Sequence, residues 1–180
     1  MVPWLDSTIS IHSLIWLFLA AFMLHDFEEI IRIEPFFRKH RDSILKRLPT
    51  RLHEDFRTLA DTTAAQFAVA VCIEFITFIP ITFLAAEASM YLPFLGINII
   101  LLLHVFMHIG QSIFVCRPVP GVFTAVMITL PYSLYLLYRL LDSQLIDMKD
   151  IWLSLPFGLL LIPILLIGHK AGEKLVPTSN

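Results

Sequence analysis

Five stretches of this chain are apolar for the roughly 20 residues that a helix needs to cross a bilayer: residues 9–33, 63–86, 92–115, 122–141 and 151–168. With lipid as solvent each is expected to be a helix, because an isolated strand would leave its backbone groups unpaired. Pro80, Pro131, Pro156 and Pro163 fall inside these stretches and are expected to kink the helices rather than end them. Between the first two stretches lies a basic segment, residues 34–62. In it Phe37, Ile44 and Leu48, then Leu52, Phe56 and Leu59, recur at helical spacing, with Pro49 dividing the two sets. That pattern predicts a basic amphipathic element on the membrane surface; the alternative is a solvated loop that only sets topology. The expected fold is all-α: a polytopic membrane helix bundle of about five transmembrane helices plus this interfacial segment, one domain over residues 1–180.

Composition supports that reading. Only 16% of residues are charged, against about a quarter in soluble domains, and mean hydropathy is +0.78. The net charge of −2 gives no pull towards nucleic acid. Arg32, Arg38, Lys39, Arg41, Lys46, Arg47, Arg51 and Arg57 all lie at or in the first connection. With five alternating spans Arg117, Lys170 and Lys174 fall on the same side, and only Arg139 and Lys149 opposite. The positive-inside rule then places the N-terminus outside and the C-terminus in the cytoplasm, in a cell inner (plasma) membrane. Asp6 is the only charge before the first apolar run, unlike the basic opening of a cleavable signal. Cys72 and Cys116 form no CxxC pair and are not expected to bridge.

The candidate chemistry interrupts the apolar runs. "FMLHDFEEIIR" (Phe22 to Arg32) ends the first span with His25, Asp26, Glu28, Glu29 and Arg32. At about 100° per residue, Glu28 and Glu29 lie roughly 60° to one side and 40° to the other of His25, within reach of one ligand. Asp26, roughly 100° away, is at the margin. In the third span His104, His108 and Gln111 form one narrow stripe, with Asn98 off it, and Glu74 is the single acid in the middle of the second. Counted from the basic end, His25 and His108 both lie roughly 10–12 Å deep and Glu74 roughly 18 Å. A central acid costs about 2.5–3.5 kcal/mol to insert. Such a set must therefore be protonated, paired, hydrated or bound to a cation. Histidine nitrogens facing carboxylates are donors that zinc or non-haem iron prefers. The structural alternatives are a Glu28–Arg32 pair at i, i+4, an Arg32 that reaches lipid phosphate, and histidines that bridge helices by hydrogen bonds. Tyr132, Tyr135 and Tyr138, with Trp4, Trp16 and Trp152, read as an interfacial aromatic belt. His12, His40, His53 and His169 are assigned no role.

At "HDFEE" the chain resembles the HxxEE family of multi-span membrane proteins: His25, Glu28 and Glu29 fit the motif. The resemblance implies a downstream Asn and His, filled either by Asn98 with His104 or by His104 before His108. "RPVPG" (Arg117 to Gly121) is similar to the family's turn after the histidine helix, and the likeness covers spans one to four. It implies a helical membrane protein with an active site but names no reaction. "HDFEE" is also one substitution from the inverzincin pattern HxxEH. That likeness implies His25, Glu29 and His104 or His108 as zinc ligands, Glu28 as general base, and a bound water with lowered pKa. Glu28-Glu29-Ile-Ile-Arg32 is similar to the Glu-Glu-x-x-x-Arg motif of CAAX-processing membrane proteases, one residue short.

The functional expectation is a membrane-embedded metal-dependent enzyme, a hydrolase acting on a lipid or membrane peptide from the inner leaflet. Its metal, zinc or iron, would be held by His25, Glu28, Glu29, His104, His108 and Glu74, with Glu28 and Gln111 in catalytic roles. A carboxylate-rich di-iron site with oxidative chemistry is a variant of this reading. The alternatives are a proton or ion carrier relaying through buried Glu and His, which in so short a chain would need to oligomerise, and a structural membrane subunit.

Overall fold

The computed structural model describes residues 3–177, which are almost wholly helical and include no strand. A short α1 (Pro3–Thr8) leads into α2 (Ile11–Leu45), then α3 (His53–Ala60), α4 (Ala64–Ala88), α5 (Tyr91–Val115), α6 (Val122–Asp142) and α7 (Met148–Leu175). The helices α4 to α7 are each long and apolar enough to cross a membrane. α2, expected as a further span, is the longest helix, largely apolar as far as Leu24 and charged beyond it. Its start is capped by the Ser10 hydroxyl, which accepts from the Ser13 N–H at 3.0 Å. Capping boxes open α4 (Thr63 with Gln66) and α7 (Asp147 with Asp150).

α2 does not stop near residue 33, where the first apolar stretch ends, but continues to Leu45 through Pro35. Proline removes one backbone hydrogen bond there. The extension is held by packing: Ile44 is buried with Val115, Val119 and Val122, and Phe36, Leu48 and Phe56 pack around them. Arg47 donates to the Phe114 carbonyl at 3.0 Å, one of the α5 end carbonyls that lack an intrahelical donor. Arg41 pairs with Asp61 at 2.5 Å, tying the extension to the residue after α3. Pro49 divides the two halves as its chemistry requires, and α3 carries Phe56 and Leu59 of the second apolar set, with Leu52 in the turn before it. The basic segment is therefore folded onto one end of the bundle and forms part of a wall there.

α7 changes partner along its length. In its first half a Cβ on Gly158 would lie 2.5 Å from the Gly96 carbonyl oxygen of α5, so the two backbones touch. After the break at Leu160, between Pro156 and Pro163, Gly168 and Gly172 bring the helix onto Ala70 and Gln66 of α4. Small residues permit such approach where lipid offers no hydrophobic drive. It is a packing helix, as its lack of ionisable residues in the apolar run suggests. Large apolar side chains such as Ile76, Met127 and Trp152 face outwards. Inside, Phe18 meets Phe78 and Phe94 edge-on, at 5.5 and 5.3 Å between ring centroids.

Two of the tyrosines assigned to an aromatic belt turn inwards instead. Tyr132 donates to the Leu14 carbonyl at 3.0 Å and Tyr135 to Asp6 at 2.8 Å. Buried Arg139 donates to the Ile9 carbonyl at 3.0 Å and to the Tyr135 hydroxyl at 2.8 Å. In a low-dielectric interior these backbone and side-chain acceptors compete well with a membrane–water interface for phenol and guanidinium protons. The network fastens α1 and the start of α2 to α6. Cys72 and Cys116 are both free.

Candidate metal centre

The middle of α2 and the middle of α5 meet in a polar group. His25 and Glu29, at i and i+4, lie on one face of α2, and His104 and His108 repeat that spacing on α5. One ligand atom from each of the four lies within 4.8 Å of the others. Glu29 Oε1 is the hub: 2.8 Å from His108 Nε2, 3.7 Å from His104 Nε2 and 3.9 Å from His25 Nε2. The two α5 imidazoles bring their Nε2 atoms to 2.7 Å. His25, Glu29 and His108 are buried, whereas the His104 side chain is 39% exposed.

The surroundings fix the histidine that matters most. The Thr124 hydroxyl, on the first turn of α6, lies 2.7 Å from Glu28 Oε2 and 3.2 Å from His25 Nδ1. Its proton goes to the carboxylate, the shorter and charged acceptor. Its lone pair therefore accepts from His25 Nδ1–H, which leaves His25 Nε2 as a bare lone pair turned towards Glu29. That nitrogen is buried and has no hydrogen-bond partner. Two electron-rich atoms, nitrogen and carboxylate oxygen, thus face each other, an arrangement that a cation between them relieves. Three imidazoles and one carboxylate fit zinc or non-haem iron by donor type.

Glu28 lies outside this group of four. Its carboxylate accepts from the Thr124 N–H at 2.7 Å as well as from the hydroxyl, and pairs with Arg32. It caps the N-terminus of α6, where unpaired N–H groups and the helix dipole favour an anion. Arg32 is held over the Phe123 ring, 5.0 Å from its centroid, so it is anchored rather than snorkelling. Glu74 is half-buried on α4 and is likewise outside the group, and Asn98 is fully buried on α5 with its amide unpartnered. Asp26 is buried beside the site, one oxygen without a partner. Gln111 lines the cavity that His104 and His108 also line.

Two residues with no assigned role in the sequence shape the site. Thr124 is one; a threonine in a first helical turn reads only as helix chemistry until its partners are known. Gly121 is the other. It has φ +82°, and a Cβ there would lie 2.6 Å from Glu29 Oε1 and 2.9 Å from His108 Cε1. The turn that the family resemblance picked out thus presses its backbone against two members of the group.

Thr124→Val keeps the shape and removes the hydroxyl. For a metal ion held by the four residues, affinity is expected to fall by about 10–100-fold, the usual cost of losing a partner behind a ligand, while Thr124→Ser retains it. Titration against a chelator of known affinity distinguishes the two variants.

A helical membrane bundle built round a three-histidine, one-carboxylate group is the class that fold and site define. Residues 16–136 match the HXXEE family, described as a protein of unknown function with HXXEE motif. The chain belongs to that family; the match runs from α2 to the middle of α6 and takes in His25, Glu28, Glu29, His104 and His108. No curated protein and no solved structure matches it.

Proposed function

We propose that this protein is a membrane-embedded metal-dependent enzyme, a hydrolase acting on a lipid or membrane peptide. The observation that carries the reading is the convergence of His25, Glu29, His104 and His108 on one point, with His25 Nε2 left unpartnered. A bound zinc or iron would polarise a carbonyl and lower the pKa of water at the site. The protein's own groups do the rest. The Glu28–Thr124 pair holds the His25 tautomer, Gly121 sets the position of the Glu29 carboxylate, and Gln111 offers an amide to a substrate in the cavity. His104 is the group's most open member and so the side that substrate meets. By the positive-inside rule the basic end, where this cavity lies, is cytoplasmic.

The deciding experiment is the metal content of detergent-purified wild-type protein, by elemental mass spectrometry. Close to one zinc or iron per chain is expected. A metal-free protein, even after supplementation with both ions, would sink the metalloenzyme reading. The carrier reading draws on a different observation: Asp26, Thr82, Asn98, Thr129 and Ser133 keep buried polar atoms without partners, as groups that relay through internal water would.

A further inference from the structure

A cavity of about 320 Å³ lies against the metal group. Its polar lining is confined to Glu29, His104, His108 and Gln111; the remaining wall is aliphatic and aromatic. Along α5 the lining runs from His104 to Val115, eleven residues or roughly 16 Å of helix. That is about half of the roughly 30 Å hydrocarbon core, the depth of one leaflet. The volume is near the lower end of the roughly 300–1,000 Å³ of ligand pockets. A half-open space of this volume, with lining over this length of helix, has room for one chain and not several.

Its two ends differ in chemistry. The part in the bundle holds Glu29, His104 and His108, with Gln111 one helical turn beyond His108 towards the other end. The end near the membrane surface is lined by Ile44 and Leu48 from the end of α2 and just beyond it, and by Phe56 and Leu59 from α3. A lipid lying with its head at the surface would need polar groups at that outer end, and the wall there has none. Those residues are the apolar face of an otherwise charged segment, and here they line one side of the cavity.

From these features we infer that the cavity binds a single long acyl chain, its carbonyl end at the histidine–glutamate group and its tail running towards the membrane surface beneath α3. The inference names a substrate class for the proposed enzyme and rests on that reading; labelling and metal content are read separately, so the two can fail separately. Gln111, on the stripe below His108, is placed beside the polar end of the chain, and Leu59 beside the tail.

The test is photolabelling of the full-length protein in lipid nanodiscs with two C16 fatty acids, one carrying a diazirine at the tail and one near the carboxyl. Labelled peptides are located by mass spectrometry. The tail probe is expected to mark Ile44–Leu48 and Phe56–Leu59, and the carboxyl-end probe His104–Gln111. Both labels should saturate and be competed by unlabelled palmitate or by palmitoyl lysophospholipid; the better competitor shows whether the chain comes free or esterified. Leu59→Asp and Leu48→Trp should each reduce saturable tail labelling at least tenfold while leaving metal content unchanged. Label confined to lipid-facing residues such as Phe106 and Ile113, the reverse order of the two probes, or labelling that neither competitor reduces would overturn the inference.

Discussion

Glu29→Gln protein is expected to purify folded and to hold almost no metal. The substitution is nearly isosteric, and the amide can still bond to His108, whose Nε2 lies 2.8 Å from Glu29 Oε1. Helix content and thermal unfolding in detergent should therefore change little. Metal binding should not survive. The carboxylate is the group's only anion and lies 2.8–3.9 Å from all three imidazole nitrogens. Removing a ligand outright costs more than the about 10–100-fold that follows loss of its supporting partner. Affinity should accordingly fall by more than about 100-fold. The result separates the competing readings. A carboxylate that only bridged helices by hydrogen bonds would tolerate the amide, and a wild type that bound metal no better than Glu29→Gln would refute its role as ligand.

Gly121→Ala should damage the same centre from outside it. The residue holds φ +82°, a conformation that costs an L-residue about 1–2 kcal/mol. The new methyl would also overlap Glu29 Oε1 at 2.6 Å and Glu29 Cγ at 2.7 Å. Either the turn or the carboxylate must move. A drop in Tm of roughly 2–8 °C follows from about 2–4 °C per kcal/mol for a chain of this size, with a metal affinity loss of about 10–100-fold. Gly110→Ala is the matched control, because nothing lies within 4 Å of its added Cβ. Equal behaviour of the two variants, in melting and in chelator competition, would show that the Gly121 contact does not matter.

Much of the site was legible because helical periodicity is rigid. Once residues 9–33 and 92–115 are read as helices, the i, i+4 spacing of His25 with Glu29 and of His104 with His108 places each pair on one face. Equal depth from the basic end then makes a meeting of the two faces a reasonable expectation, and the group forms from those four residues. Periodicity does not tell which neighbour a given face meets. Glu28 falls in the same arc as Glu29, yet the start of α6 captures it through Thr124, and Arg32 pairs with it. Likewise Tyr132 and Tyr135 have the composition of an interfacial belt, but acceptors from Leu14 and Asp6 draw them inside.

What this sequence determined by itself is a helical membrane bundle, four of its long apolar helices, and two polar faces whose side chains could hold a metal ion. Those properties depend on hydropathy, on a fixed rise per residue and on the chemistry of single side chains, all of which are local. Tertiary structure alone decided that Glu29 and not Glu28 joins the histidines, that a Cβ on Gly121 would press on them, and that the basic segment lines a cavity beside them. Each of these depends on which backbones come within a few ångströms of one another. Contacts between residues such as His25 and Thr124, 99 positions apart, leave no periodic trace along the chain.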